Sequence, residues 1–250
     1  MSSALLPRDL LDQATAPYRP LEQFAWRFAR GKLSGDPAFA GLLQRGLIPA
    51  NARLLDIGCG QGLLAALLGS LDGQSAAERN WPTDWAAAPA QCQVHGIELM
   101  PLDVARAQLA LAHLGKRARF TLGDMCMADF GQADVVVILD VLHYVGYEAQ
   151  EDVLRRVRAA LAPGGTLLLR VGDASAGLPF RISNWVDAVV TFVRGHRLAR
   201  LHCRPLGDWQ ALLGQLGFAV ETIPMHRGTP FANILLVARL APPTVPSEGP

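Results

Sequence analysis

The stretch LLDIGCGQG at Leu54–Gly62, running directly into LLAALLG, constrains the fold of this 250-residue chain more than any other segment. Leu54, Leu55 and Ile57 suit a buried strand carrying the acid Asp56 at its end. Gly58, Gly60 and Gly62 allow backbone conformations that a Cβ forbids and bring N–H groups close to a ligand. The next apolar run starts a helix, which Gly69 ends. A strand that turns on glycines into a helix reads as a cradle for a nucleotide-bearing cofactor. The dinucleotide fingerprint G-x-G-x-x-G is not met, because Leu63 occupies the place of its third glycine. A tight strand-helix turn in an unrelated α/β protein has the same local residues, so the reading depends on the rest of the chain.

Further acids stand at later strand ends. VHGIELMP at Val94–Pro101 is a short apolar strand ending in Glu98, with Pro101 suited to the first turn of a helix. RFTLGDM at Arg119–Met125 brings Asp124, and ADVVVILDVLHYV at Ala133–Val145 is a β-branched strand opening into a loop with Asp140, His143 and Tyr144. LAPGGTLLLRV at Leu161–Val171 adds a Pro-Gly-Gly turn and a fifth strand. One such acid is commonly a solvated strand end or a helix cap; four in order carry more weight.

This succession resembles the class I S-adenosylmethionine (SAM)-dependent methyltransferases over roughly Leu54–Leu240. The resemblance implies an α/β, Rossmann-like, seven-stranded and mostly parallel sheet with helices on both faces, an antiparallel last strand beside the sixth and a helical cap over the carboxyl ends of the strands. It implies SAM as cofactor and S-adenosylhomocysteine as product. The implied cofactor-binding residues are Asp56, Gly58, Gly60, Gly62, Glu98, Leu99, Asp124, Met125 and Asp140, with Glu98 accepting from the ribose hydroxyls and Asp124 facing the adenine amino group.

The strands are expected near Ala52–Ile57, Gln93–Glu98, Arg119–Leu122, Asp134–Leu139, Thr166–Val171, Ala219–Pro224 and Asn233–Arg239, with helices between the first five. Three regions surround the cofactor motifs: an N-terminal helical lid at 1–50, the methyltransferase domain at 51–240 and a disordered tail at 241–250, whose prolines cannot extend a sheet. Glu98 lies forty residues after Gly58, against about twenty in an ordinary nucleotide-binding unit. The excess is a loop insertion at 71–93, whose Trp81 and Trp85 are expected to pack on the domain body, a partner surface being their other use. A second insertion at 174–206 holds five Arg against the single acid Asp187 between Arg181 and Arg204. Arg194, Arg197 and Arg200 recur every three residues, so the segment reads as a basic amphipathic cap. A solvated helix face is its plain alternative; as a binding face it attracts an anionic acceptor, a phosphopantetheine arm, an acidic carrier protein or an anionic membrane surface.

Net charge argues against a general nucleic-acid binder, since a formal +1 provides no basic surplus, and leaves nucleic acid as the minor alternative. The fourth strand end also lacks the Pro-Pro-aromatic element of base-amine methyltransferases. No apolar run approaches the roughly 18 residues that span a bilayer, and Arg8, Asp9 and Asp12 interrupt any secretory signal. The four cysteines are scattered without C-x-x-C, which argues for reduced thiols, a cytoplasmic location and no metal site. Cys59, inside the turn, reads as a small filler.

The implied reaction is methyl transfer to a small-molecule acceptor, in which the protein mainly aligns the partners and excludes water. His143 is the preferred general base for a phenol or hydroxyl acceptor, with Tyr144 orienting it. Tyr18, Trp26, Arg194 and Arg197 are the expected acceptor-binding residues. FARGKLSGDPAF and HCRPLGDW look similar to methyltransferases of proteobacterial aryl-polyene or fatty-acid-like pathways, which implies an aromatic or acyl acceptor tethered to an acyl carrier protein. Two readings of other classes stand beside this one. A non-catalytic SAM-binding interaction module has the same motifs, and a nicotinamide oxidoreductase is disfavoured by the missing third glycine.

Overall fold

The apolar residues before the glycine turn form a short buried strand, β1 (Arg53–Ile57), in a computed structural model that describes residues 5–72, 80–172, 201–225 and 233–240. The chain divides into two units, Met1–Asp129 with Met225–Thr229, and Phe130–Pro224 with Pro230–Pro250.

In the first unit, α1 (Arg8–Thr15), α2 (Gln23–Gly35) and α3 (Pro37–Gln44) precede β1. Asp36 caps α3 by accepting from Ala38 N, and Pro37 takes the first helical position, where its missing N–H costs nothing. Then come α4 (Leu63–Gly69), β2 (Gln93–Glu98), α5 (Pro101–Ala110) and β3 (Ala118–Leu122). β1, β2 and β3 are parallel, with Arg53 opposite Gln93 and Val94 opposite Ala118. Leu63–Leu68 are all buried, which suits a helix apolar on every side, and α1 packs against it. Residues 5–50 are thus built into this unit through α1, Ala25, Ala29, Leu33 and the buried face of α3. Trp81 and Trp85 form an edge-to-face pair with centroids 5.3 Å apart, and Ala86 N donates to Gln44 O, so the described part of the 71–93 insertion is bonded to α3.

The second unit holds β4 (Ala133–Leu139), α6 (Tyr147–Ala160), β5 (Leu161–Gly172), α7 (Leu206–Gln215), β6 (Phe218–Pro224) and β7 (Asn233–Leu240). β4 and β5 are parallel, and β7 is antiparallel to both β5 and β6. Val135–Ile138, Leu167–Leu169 and Leu235–Ala238 are almost wholly buried, the continuous apolar runs of a sheet covered on both faces. The strand order is β3-β2-β1 in the first unit and β4-β5-β7-β6 in the second.

Two expectations change. No helix connects β3 to β4: residues 123–132 are too few for a crossover helix, which takes a dozen residues or more. They form a turn instead, in which Asp124 O accepts from Met127 N and Ala128 N. β5 begins at Leu161 and includes the Pro-Gly-Gly segment, where an added Cβ on Gly165 would lie 2.8 Å from Ala162 O. Residues 174–200 of the basic insertion, with Arg194 and Arg197, and the tail at 241–250 lie outside the described residues. Among those described, no helix is long and apolar enough to cross a membrane.

Candidate cofactor and acceptor sites

Gly58, Gly60 and Gly62 have φ values of 76°, 54° and 80°, in the left-handed region that a Cβ disfavours. Gly62 is required twice over, because a Cβ there would also lie 2.9 Å from Phe120 Cε1. At Gly60 an added Cβ meets no atom of the described residues within 4 Å beyond its chain neighbours, so among them that side of the turn is open. Glu98 reaches the turn from the end of β2. Its Oε2 accepts from Gly60 N at 2.8 Å and its Oε1 from Met100 N at 2.9 Å, and each oxygen retains a further lone pair. Asp56 is only 6% exposed; burial, then the charge of Glu98, push its carboxyl up to about 7. Burial pushes the Cys59 thiol up as well, with Asp56 and Glu98 adding to it. It therefore stays protonated and acts as a filler, for which Gly96 leaves the room: a Cβ on Gly96 would lie 2.6 Å from Cys59 Sγ.

The turn is also held from the N-terminal segment. Tyr18 Oη donates to Gln61 O at 2.8 Å, and Gln61 Nε2 donates to Ala25 O at 2.9 Å. This corrects the expected acceptor-binding role of Tyr18, which has no exposed surface to offer. Trp26 is half-buried, with the Arg19 guanidinium 4.9 Å above its ring.

Asp124 is exposed, and its Oδ1 accepts from Cys126 N at 2.8 Å, closing the turn after β3. Met125 is half-buried. Leu99 is 55% and Met127 83% exposed, with Leu102 and Leu122 also in solvent. Large apolar side chains left uncovered after β2 and β3 suit a ligand with an apolar face.

The remaining residues belong to the second unit. Asp140 takes φ of 60° and accepts from Arg170 Nε at 2.8 Å and from Arg170 Nη2. Arg170 is 2% exposed on β5, so Asp140 supplies the counter-charge that a buried guanidinium requires. His143 and Tyr144 follow in a short 3₁₀ turn, ring centroids 4.4 Å apart. Burial lowers the His143 pKa and Asp140 opposes that shift, which leaves the imidazole neutral near pH 7 and able to accept a proton. The loop is fastened to residues 201–204. His202 N donates to His143 O at 2.9 Å, and the buried Gln150 amide donates to Val145 O at 3.0 Å and His202 O at 2.7 Å. Arg204 Nε donates to Gln150 Oε1 at 2.9 Å, its guanidinium lying 4.8 Å from the Tyr147 ring centre.

Sequence reasoning missed Gln61, Gly96, Gln150, Arg170 and Arg204. Gly96 alone carried a signal, since a glycine within a strand marks a close approach; the others are polar residues whose importance comes from partners far along the chain.

Parallel strands with a glycine turn and acids at their carboxyl ends define a protein of the Rossmann-like, nucleotide-cofactor class. Within it the chain belongs to the methyltransferase-domain family, which residues 25–223 match. Acetylserotonin O-methyltransferase of Mus musculus is 34% identical over 112 residues, 45% of this chain and 28% of that protein. Carboxy-S-adenosyl-L-methionine synthase of Chromohalobacter salexigens is 29% identical over 132 residues, 52% of this chain and 43% of that protein. The matched part of the chain thus spans less than half the length of these curated relatives. An O-methyltransferase family protein from Burkholderia thailandensis shares the fold, with a TM-score of 0.62 at 17% identity over 97% of this chain and 66% of that one. So does a magnesium protoporphyrin IX methyltransferase from Synechocystis PCC 6803, solved with bound S-adenosylhomocysteine, with a TM-score of 0.57 at 20% identity over 92% and 96%.

Proposed function

We propose that this protein transfers the methyl group of SAM to a small-molecule acceptor. The observation that carries the reading is the Glu98 carboxylate bonded to Gly60 N and Met100 N beside an open glycine turn, in a chain of the methyltransferase family. Glu98 has lone pairs left for a ribose diol, and the exposed Leu99 offers an apolar surface to the base; Asp124 and Met125 are assigned to the adenine end. Asp56 favours a cationic ligand, which would stabilise its ionised form. Bound SAM supplies an electrophilic methyl on a sulfonium and leaves as S-adenosylhomocysteine.

The chain's own residues then have to position the acceptor, exclude water and take a proton from an acceptor that carries one; such positioning is worth on the order of 7–11 kcal/mol. The neutral His143 imidazole is the group assigned to that proton, with Tyr144 beside it. Asp140 holds Arg170 in this scheme, and its ionised carboxylate favours the imidazolium once formed. The local run of five Arg between 181 and 204 supports an anionic acceptor, including an acyl or aromatic group on an acidic carrier protein.

Calorimetry with SAM and S-adenosylhomocysteine, and then turnover on a panel of phenolic and carrier-bound acceptors, tests the proposal. His143→Ala is expected to lower kcat by about 10²- to 10⁴-fold on a hydroxyl acceptor with the SAM dissociation constant unchanged. Full turnover by the variant removes His143 from the chemistry, and SAM binding without turnover on any acceptor favours a non-catalytic module.

A further inference from the structure

We infer that Tyr18 and Gln61 are positioning residues that make cofactor affinity depend on the N-terminal segment, through side chains with no surface of their own. The inference rests on assigning the glycine turn to the cofactor. Gln61 lies between Gly60 and Gly62, both left-handed, so its peptide planes have neighbours that restrain them little. Restraint arrives from two directions. Glu98 holds Gly60 N, while Tyr18 Oη holds the Gln61 carbonyl and Ala25 O holds the Gln61 amide. Tyr18 and Gln61 are 0% and 1% exposed. Burial also raises the Tyr18 pKa, so the hydroxyl remains a donor.

The same segment is anchored a second time. Glu22 pairs with Arg106 of α5, whose guanidinium lies 5.4 Å from the Phe24 ring centre and donates to Asp103 Oδ1 at 3.1 Å. Residues 18–25 therefore bridge the turn after β1 and the helix after β2, the two elements that flank Gly60 and Glu98. If the Tyr18 bond is lost, the turn samples shapes that do not bind, and apparent affinity falls by the fraction of time spent in them.

The test compares Tyr18→Phe with Thr15→Val. Thr15 Oγ1 is another buried hydroxyl of the segment, bonded to Leu11 O at 2.8 Å and not to the turn. Tyr18→Phe is expected to weaken SAM and S-adenosylhomocysteine by about 5- to 10-fold, the size of one hydrogen bond, and to move the amide resonances of Gly60 and Gly62. Thr15→Val should bind within about twofold of the parent, since it leaves the turn's bonds in place. A Tyr18→Phe affinity equal to the parent's, or equal losses in both variants, overturns the inference. In the unaltered protein, reciprocity requires S-adenosylhomocysteine to slow amide exchange in residues 16–28 as well as 58–62. Slowing confined to the turn overturns the inference even if neither variant folds. Gly60→Val separates the two readings, because retained binding there sinks the cofactor assignment itself, whereas lost binding with an indifferent Tyr18→Phe sinks only the coupling.

Discussion

The glycine turn of the first unit and the His143 loop of the second are each fastened by a buried amide side chain, Gln61 in one and Gln150 in the other. What those amides fasten differs. Three glycines at positive φ permit the path of the turn, and Gln61 with Tyr18 selects it from the shapes those glycines allow. The His143 loop has no such local cause. Its shape depends on Gln150, Arg204 and the Asp140–Arg170 pair, whose partners lie 30 to 57 residues away along the chain for the bonds Arg170–Asp140 and Arg204–Tyr147. The proposed cofactor side therefore has a local glycine pattern that Glu98 and Tyr18 then fix, whereas the proposed acceptor side has no local pattern and is assembled by distant side chains alone.

The largest effect is expected from Asp140→Ala, which removes the Asp140 carboxylate from the buried Arg170 guanidinium. A loss of about 3–5 kcal/mol in unfolding free energy is expected by denaturant titration, with SAM affinity of the folded variant unchanged. A loss below about 1 kcal/mol, the size of an exposed pair, would show that this one does not hold the second unit together. A matching drop in SAM affinity would return Asp140 to the cofactor side.

Glu98→Ala probes the first unit. It removes the acceptor for both Gly60 N and Met100 N and should weaken SAM by about 1.5–3 kcal/mol in calorimetry, as for a charge-assisted bond. Unchanged affinity would mean that glycine geometry alone makes the cradle.

The smallest expected effect comes from protons at Asp56. Its pKa is raised to about 7, first by burial and then by Glu98, so the folded state favours the neutral acid. The stability contributed by this group is full below the unfolded carboxyl value of about 4 and is lost as pH rises through about 7. A cationic cofactor reverses the preference and favours the carboxylate, so SAM should bind about tenfold more weakly at about pH 6 than at about pH 8, with uptake of the ligand coupled to release of a proton. Calorimetry in two buffers of different ionisation enthalpy reads that release, and Asp56→Asn should abolish it; no proton release in the parent would exclude Asp56 from the ligand's surroundings.

The strands, the glycine turn and the acids at the strand ends are legible in the order of the residues, because these depend on short-range rules. Apolar runs make buried strands, glycine permits positive φ, and a proline opens the helix after β2. Glu98 was legible as the end of β2 despite the long segment before it, since a strand ending in an acid can be read wherever it falls. How those pieces are used is visible in the folded chain alone. The fold gave the β3–β4 connection to a turn because too few residues were available for a helix, and it buried Tyr18 under the turn instead of leaving its ring for an acceptor. It required Gly96 to make room for Cys59, paired Asp140 with a buried arginine and tied residues 201–204 to the His143 loop. Apart from that short turn, each of those outcomes rests on a contact between residues distant in sequence, and a pattern of period two or 3.6 contains no information about which distant group will be the one to arrive.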